Sequence, residues 1–220
     1  MASYFNLTLD TTAPSGVTLR INDGALYATS QTVSLLIGVE DEQTAGYQMK
    51  IWGISGAENE ETASWEGFAR SKSVNLTSEE GLKTVWVKVR DDVGNESVPV
   101  SNTITLNTAV PVVTVTGPDR SKVSKVTEFS QAVINFTSNV DFEEYKVCVV
   151  PASSSEQDAG ITIPTAAGSA NTSGAAGGYP AATNIQVTVT GADLESASSG
   201  DGVKMIKVFV KNAAGTWSVA

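Results

Sequence analysis

GLKTVWVKVRDDVGNESV, residues 81–98, and GVKMIKVFVKNAAGTWSV, residues 202–219, are two versions of one stretch, and they decide the fold. In each, apolar and other side chains alternate, and a turn containing glycine follows. The alternating apolar residues are Val85, Val87 and Val89 in the first stretch and Ile206, Val208 and Val210 in the second. A period of two is the pattern of a β-strand with one buried face. Both stretches therefore predict a half-buried strand that ends in a turn.

Two further blocks repeat in the same order along the chain. TLDTTAP at residues 8–14 matches TLNTAVP at 105–111, and SQTVSL at 30–35 matches SQAVIN at 130–135. The offsets are 97 and 100 residues, against 121 for the stretch that ends each copy. The sequence therefore holds two copies of one module, and the second is longer between its second and third blocks.

The added length falls in a stretch rich in alanine, serine, glycine and threonine, at about residues 152–183. Its composition predicts a long loop, either flexible or an ordered contact element. We expect residues 1–10 to form an N-terminal strand, 11–107 a first domain, and 108–220 a second domain that carries this loop.

Short β-branched runs separated by turns recur through both modules, and no helical periodicity extends over a useful length. The first module's strands are expected near residues 17–21, 32–39, 46–52, 71–76, 84–90 and 98–106, with a short one near 64–68. Seven short strands per module predict an all-β protein of two tandem immunoglobulin-like antiparallel β-sandwiches. The single cysteine, Cys148, leaves no internal disulfide and is expected to be an outward-facing filler residue.

Charge and composition exclude several classes of function. The chain has 24 acidic and 14 basic residues, a net charge of −10, which disfavours nucleic acid and anionic membrane surfaces as partners. Neither a secretory signal nor an apolar run that could span a bilayer is present, so we expect no membrane insertion. Without histidine there is no imidazole base, and no phosphate-binding glycine loop is seen. We therefore predict that the chain is not an enzyme and needs no cofactor.

The phrases LDTTAP, GYQMKIWG and KTVWVKVRDDVGNES resemble the tandem Ig-like, fibronectin type III-like modules of bacterial surface proteins and of tailed-bacteriophage virion proteins. The resemblance implies a structural, decorating or host-surface-binding part, located in a virion and assembled in the host cytoplasm. Its partners would be other virion proteins of the capsid or tail, or further copies of itself. The alternative is a carbohydrate- or receptor-binding module of a larger adhesin, with a host-surface glycan as partner.

Acidic residues supply the candidates for a metal site. Asp91 and Asp92 lie in the turn DDVGN, and Asp41 lies in the run VEDE. Such carboxylates can bind calcium if they meet at one end of a sandwich. The spacing is not that of an EF-hand, and the second module has NAAGT at the place of the turn. A solvated turn is the alternative, and we predict no metal.

Two tryptophans are candidates for a contact surface. Trp52 and Trp86 fall on the polar sides of their strands, so both are expected on one outer face if the strands share a sheet. Large aromatic residues commonly anchor interfaces. The alternative is that neighbouring lysine stems and loops cover them.

The opening stretch supplies a third candidate. Residues 4–10 align with residues 101–107 at the offset of 97, which places Phe5, Leu7 and Leu9 where the first module's closing strand has Asn102, Ile104 and Leu106. The second module reaches the equivalent point at GTWSVA, where its closing strand is mostly missing. We therefore expect the N-terminal strand of one copy, or a partner protein, to complete the second module of another. In the alternative, residues 4–10 extend the first module's own sheet.

Overall fold

The computed structural model describes residues 5–41, 43–151, 160–163 and 178–219. Its strands pair almost entirely antiparallel, and the chain divides into two compact units, residues 1–108 and 109–220. The all-β prediction is confirmed: each unit is an Ig-like β-sandwich of two sheets. No helix in the described ranges is long and apolar enough to cross a membrane.

The first unit packs a three-stranded sheet on a five-stranded one. In spatial order the first sheet is β1 (Thr18–Ile21), β3 (Thr32–Gly38) and β6 (Ser71–Asn75). The second is β2 (Tyr27–Ala28), β8 (Val100–Leu106), β7 (Gly81–Arg90), β4 (Gln48–Trp52) and β5 (Glu66–Gly67). The predicted alternation holds on β7, where Val85, Val87 and Val89 are all 0% exposed.

The second unit repeats this plan with three strands in each sheet. One sheet is β9 (Val113–Thr116), β10 (Gln131–Ser138) and β13 (Ile185–Thr190). The other is β12 (Ile161–Thr162), β11 (Glu144–Pro151) and β14 (Lys204–Lys211). Its core is more aromatic than that of the first unit: Phe136 lies 5.2 Å from Tyr145 and 6.0 Å from Phe142, between ring centroids.

The turns after β7 and β14 are built alike, although their sequences differ. The N–H of Ser97 donates to the carbonyl of Val89, and that of Ser218 donates to the carbonyl of Val210, both at 2.8 Å. Each serine hydroxyl also accepts a hydrogen bond from the N–H of the same valine. The two terminal stretches of the repeat therefore adopt one geometry, and β14 is the counterpart of β7.

Two segments of the second unit differ from the prediction. Within the stretch predicted as a loop, β12 pairs with β11, and the next residue, Ile163, is 0% exposed, so the loop prediction is wrong there. The rest of that prediction falls mainly on residues 152–159 and 164–177, outside the described residues. A short helix, α1 (Gly191–Ala197), is capped at its N-terminus by Thr190, which exchanges capping hydrogen bonds with Asp193.

Candidate functional site

The acidic candidates lie at one end of the first unit. The pKa of the Tyr47 hydroxyl is raised by burial and then by the negative charges of Asp41, Asp91, Asp92 and Asp10, so each of these carboxylates lies within electrostatic range of Tyr47. We call this end the acidic pole. The amide of Asn95 donates to the carbonyl of Asp10 at 3.4 Å, so the N-terminal segment is attached at this pole.

Asp91 is committed to the turn in which it lies. It is 4% exposed, and its Oδ1 accepts the backbone N–H groups of Val93 at 3.0 Å and Asn95 at 2.8 Å. Its Oδ2 accepts from the Asn95 amide at 2.7 Å, so a metal ion would have to displace these donors. Asp92 is exposed, and Asp41 has one buried carboxylate oxygen with no hydrogen-bond partner. Within the described ranges, no group of three or more potential metal ligands assembles.

The hydrogen bonds of Asp91 predict an acid-sensitive turn. Burial raises the pKa of Asp91, but the hydrogen bonds from Asn95, Val93 and Gly94 outweigh it and hold the pKa below its ordinary value of 3.8. Because this pKa is lower in the folded than in the unfolded state, the ionised carboxylate stabilises the fold. The stabilisation is fully present at pH values above the unfolded-state pKa, and it is lost as the pH falls through the folded-state pKa. Asp91→Asn is therefore expected to lower the free energy of unfolding by about 1–2 kcal/mol at pH 7, and by less below about pH 4.

Urea unfolding at pH 7 and pH 3 measures this difference, and Asp92→Asn, in the next and exposed residue, is the matched control. Asn212 occupies the equivalent place in the second unit, where its Oδ1 accepts the N–H of Thr216 at 2.9 Å. An asparagine therefore fits the turn, and the substitution tests the charge. An equal loss at both pH values would contradict the role assigned to the carboxylate.

Trp52 and Trp86 lie on the same outer face of the five-stranded sheet, as the strand alternation predicted. They are directly paired across β4 and β7, and their rings stack at 6.0 Å with an interplanar angle of 3°. Trp52 is only 8% exposed, whereas Trp86 is half-buried. Of the pair, Trp86 therefore offers the more accessible ring. That these residues contact a partner stays a prediction.

The segment after β4 returns to this outer face. The Trp65 ring lies 4.4 Å from the guanidinium of Arg90 and 5.1 Å from the ammonium of Lys50, and Glu60 pairs with Lys88 at 3.3 Å. Lys88 also pairs with Glu96 at 2.6 Å, which raises the pKa of Lys88 and lowers that of Glu96. Sequence reasoning missed Trp65, although its position among polar residues before a short strand was visible. Cys148, on the matching face of the second unit, is 1% exposed.

The side chains of the N-terminal candidates are almost fully exposed to solvent. Phe5, Leu7 and Leu9 are 89%, 89% and 87% exposed, and residues 5–10 belong to no strand. The structure therefore does not show the alternative in which this segment extends the first module's own sheet. From Pro14, which is buried, the chain joins the first sandwich.

A cleft lies between β9 and β14 in the second unit. One stretch has a volume of about 420 Å³ and is lined by residues that include Val113, Val115, Ile206 and Val208. A second stretch, of about 770 Å³, shares Val115 and Ile206 with the first and continues to Val203. We call this continuous groove the β9–β14 cleft. No strand of the described residues pairs with the edge of β14 that borders it.

The comparisons with known proteins concern the fold. No protein-family model and no curated protein matches the sequence. Fibronectin(III)-like modules of Clostridium thermocellum CbhA share 12% identity at a TM-score of 0.46, covering 92% of this chain and 90% of theirs. The FN1–FN3 domains of chicken CNTN1 share 12% identity at a TM-score of 0.42, covering 95% of this chain and 63% of theirs. Chitinase ChiA74 from Bacillus thuringiensis shares 15% identity at a TM-score of 0.34, covering 91% of this chain and 30% of the chitinase.

The chain's own strand order defines two Ig-like sandwiches. The class that the fold defines is thus a protein of two Ig-like β-sandwich units. Its particular role has to be inferred from its surfaces.

Proposed function

We propose that this chain is a non-enzymatic structural component of a tailed-bacteriophage virion, attached to the capsid, tail or baseplate. There it mediates assembly or attachment to the host surface, and its partners are other virion proteins or further copies of itself. It is assembled in the host cytoplasm. The observation that carries an assembly role is the pair of uncovered apolar features: the row Phe5, Leu7 and Leu9, and the β9–β14 cleft.

Both features are unusual for a protein that acts as a free monomer. Contiguous apolar surface is normally covered in a soluble protein, and an unpaired strand edge invites pairing with another chain. The row and the cleft are therefore expected to be buried in a complex. The resemblance of LDTTAP and KTVWVKVRDDVGNES to virion Ig-like modules supports a phage particle as that complex.

Purified particles test the proposed role. Tailed particles from cultures that carry the gene would be banded on a density gradient, washed in high salt and digested for mass spectrometry. We expect peptides from both units of this chain at a fixed copy number relative to the major capsid protein. Its absence from washed particles, with the protein present in the lysate, would refute the virion role.

A second candidate function is glycan or receptor binding, which the stacked Trp52–Trp86 pair favours because aromatic rings are common anchors of binding surfaces. Trp86→Ala is the cleaner test, since Trp52 is buried and its truncation would also cost stability. Saturable glycan-array binding that Trp86→Ala abolishes would favour this candidate. Ser101→Ala, at the exposed residue paired with Trp86 on β8, is the control that should bind normally.

A further inference from the structure

The β9–β14 cleft occupies the position that β8 fills in the first unit. There β8 pairs antiparallel with β7, and the Asn102 amide reaches the carbonyl of Leu19 on β1 at 2.8 Å. β9 and β14 are the counterparts of β1 and β7, and both line the cleft. The second unit thus presents the two walls of a β8 site, with no strand from the described residues between them.

Side-chain exposure supports the equivalence. Leu19 is paired with Ile37 and is 7% exposed, whereas Val115, paired with Phe136 on the counterpart strands, is 42% exposed. Val85 on β7 is 0% exposed, whereas its counterpart Ile206 is half-buried. The apolar wall of the cleft is therefore exposed where the first unit is sealed.

We propose that the β9–β14 cleft binds residues 5–10 of a second copy of this chain as a strand antiparallel to β14. This inference deepens the proposed assembly role by naming the partner. Leu7 and Leu9 align with Ile104 and Leu106, which are 1% and 0% exposed in β8. The segment therefore repeats the side chains that β8 buries.

The β7–β8 register gives the geometry of the bound strand. Asn102 is paired with Val85, and Ile104 with Lys83. Carried to the second unit by the repeat, Phe5 lies opposite Ile206 and Leu7 opposite Lys204. Asn6 and Thr8 then point to solvent, since side chains alternate along a strand. Phe5 covers Ile206, which is half-buried in the single chain.

The donor comes from a second copy because of where the segment is attached. Asp10 is held at the acidic pole, beside the turn that follows β7. The second unit begins after Thr108, whose N–H donates to the Glu80 carboxylate at 2.9 Å, at the start of β7. β7 has ten residues and spans about 30 Å, whereas the six residues 5–10 span about 20 Å. The segment is therefore too short to run back along β7 from the acidic pole to Glu80, at the other end of that strand.

Such an exchange is heterologous, because the surface that each copy donates, residues 5–10, differs from the surface that accepts it, the β9–β14 cleft. Repetition produces a closed ring or an open filament, depending on the rotation between copies. The exchange predicts concentration-dependent self-association of the full chain.

Light scattering after size-exclusion chromatography tests this self-association on the full chain. We expect oligomers at high micromolar concentration, and monomers for the double variant Leu7→Asp with Leu9→Asp, because charged side chains cannot enter the apolar cleft. All these side chains are exposed in the single chain, so the fold is not at risk. Asn6→Asp with Thr8→Asp adds the same charge on the other side of the strand and should still assemble.

A peptide of residues 5–10, FNLTLD, tests the cleft directly when added to the isotope-labelled double variant. We expect amide chemical-shift changes confined to β9 and β14, and a peptide with alanine for both leucines should bind at least about thirtyfold more weakly. A wild-type chain that stays monomeric at every concentration, or a peptide that shifts no residue of the cleft, would overturn the inference. If the chain is present in washed particles but is monomeric when released from them, the exchange is refuted and the virion role is supported. If the chain exchanges strands in solution but is absent from washed particles, the virion role is refuted and the exchange is supported.

Discussion

Phe136→Ala should lower the free energy of unfolding of the second unit by about 3–5 kcal/mol and leave the first unit unchanged. Phe136 is 1% exposed, and its ring contacts Phe142 and Tyr145, so truncation leaves a cavity inside the aromatic cluster. The first unit has its own core of aliphatic side chains from β1, β3, β4, β7 and β8. The loss should therefore stay within the unit that carries the substitution.

Hydrogen-exchange mass spectrometry resolves the two units in one sample. Peptides from β10 and β14 should exchange about a hundredfold faster or more in Phe136→Ala, and peptides from β3 and β7 should not change. Phe129→Ala, at a residue 59% exposed, is the matched control and should change neither unit. Equal acceleration in both units would contradict the expectation of separate cores.

Gly53→Ala is expected to destabilise the first unit by about 3–5 kcal/mol. This is more than the cost of placing an alanine at a positive φ explains. Gly53 has a φ of +80°, and a Cβ there would lie 2.0 Å from the carbonyl oxygen of Thr84 on β7. The two backbones approach so closely that one of them would have to move. That movement would separate β4 from β7 next to the tryptophan pair.

Gly56→Ala separates the two causes. Gly56 has a φ of +82°, yet a Cβ there would meet nothing within 4 Å. Its substitution should therefore cost about 1 kcal/mol, the usual penalty of a left-handed backbone. Chemical denaturation monitored by fluorescence compares the variants, because three of the four tryptophans lie in the first unit. Equal losses for the two variants would contradict the close approach of the backbones.

The strands that sequence reasoning located best are those with long alternating runs. β3 and β7 both begin or end where the pattern predicted, because each buries one face against the opposite sheet. The short strands were harder: β2 has two residues, and its hydrogen bonds to β8 depend on a partner some 80 residues away. Alternation over two residues carries no signal, so that strand was missed.

Tertiary contacts also decided the positions that the sequence misplaced. The block SQAVIN aligns with SQTVSL at an offset of 100. In the structure, however, the core-facing Val33, Leu35 and Ile37 correspond to Ala132, Ile134 and Phe136, an offset of 99. Thr190 and Asp193 do form a recognisable cap, yet α1 is too short to show helical periodicity. The burial of Trp52 depends on its stacking with Trp86 across two strands, which β4's alternation alone does not reveal.

Of the candidate site, the sequence indicated the donor segment, residues 5–10. It could not show the cleft itself, because the cleft depends on the spatial distance between β9 and β14, which lie far apart in the sequence. The exposure of Phe5, Leu7 and Leu9 is likewise a property of the folded chain. The alignment of residues 4–10 with 101–107 gives the register of the bound strand, and the structure shows the cleft between β9 and β14.

Disulfide trapping between two chains tests the strand exchange most directly. One chain would carry Phe5→Cys and the other Ile206→Cys, both with Cys148→Ala to remove the native thiol, and the mixture would be oxidised and separated on a non-reducing gel. The proposed register places these two positions opposite each other, so a covalent heterodimer should form in high yield. Leu9→Cys paired with Ile206→Cys is four residues out of register and should not cross-link. Equal cross-linking of the two pairs, or none for the first, would contradict the exchange.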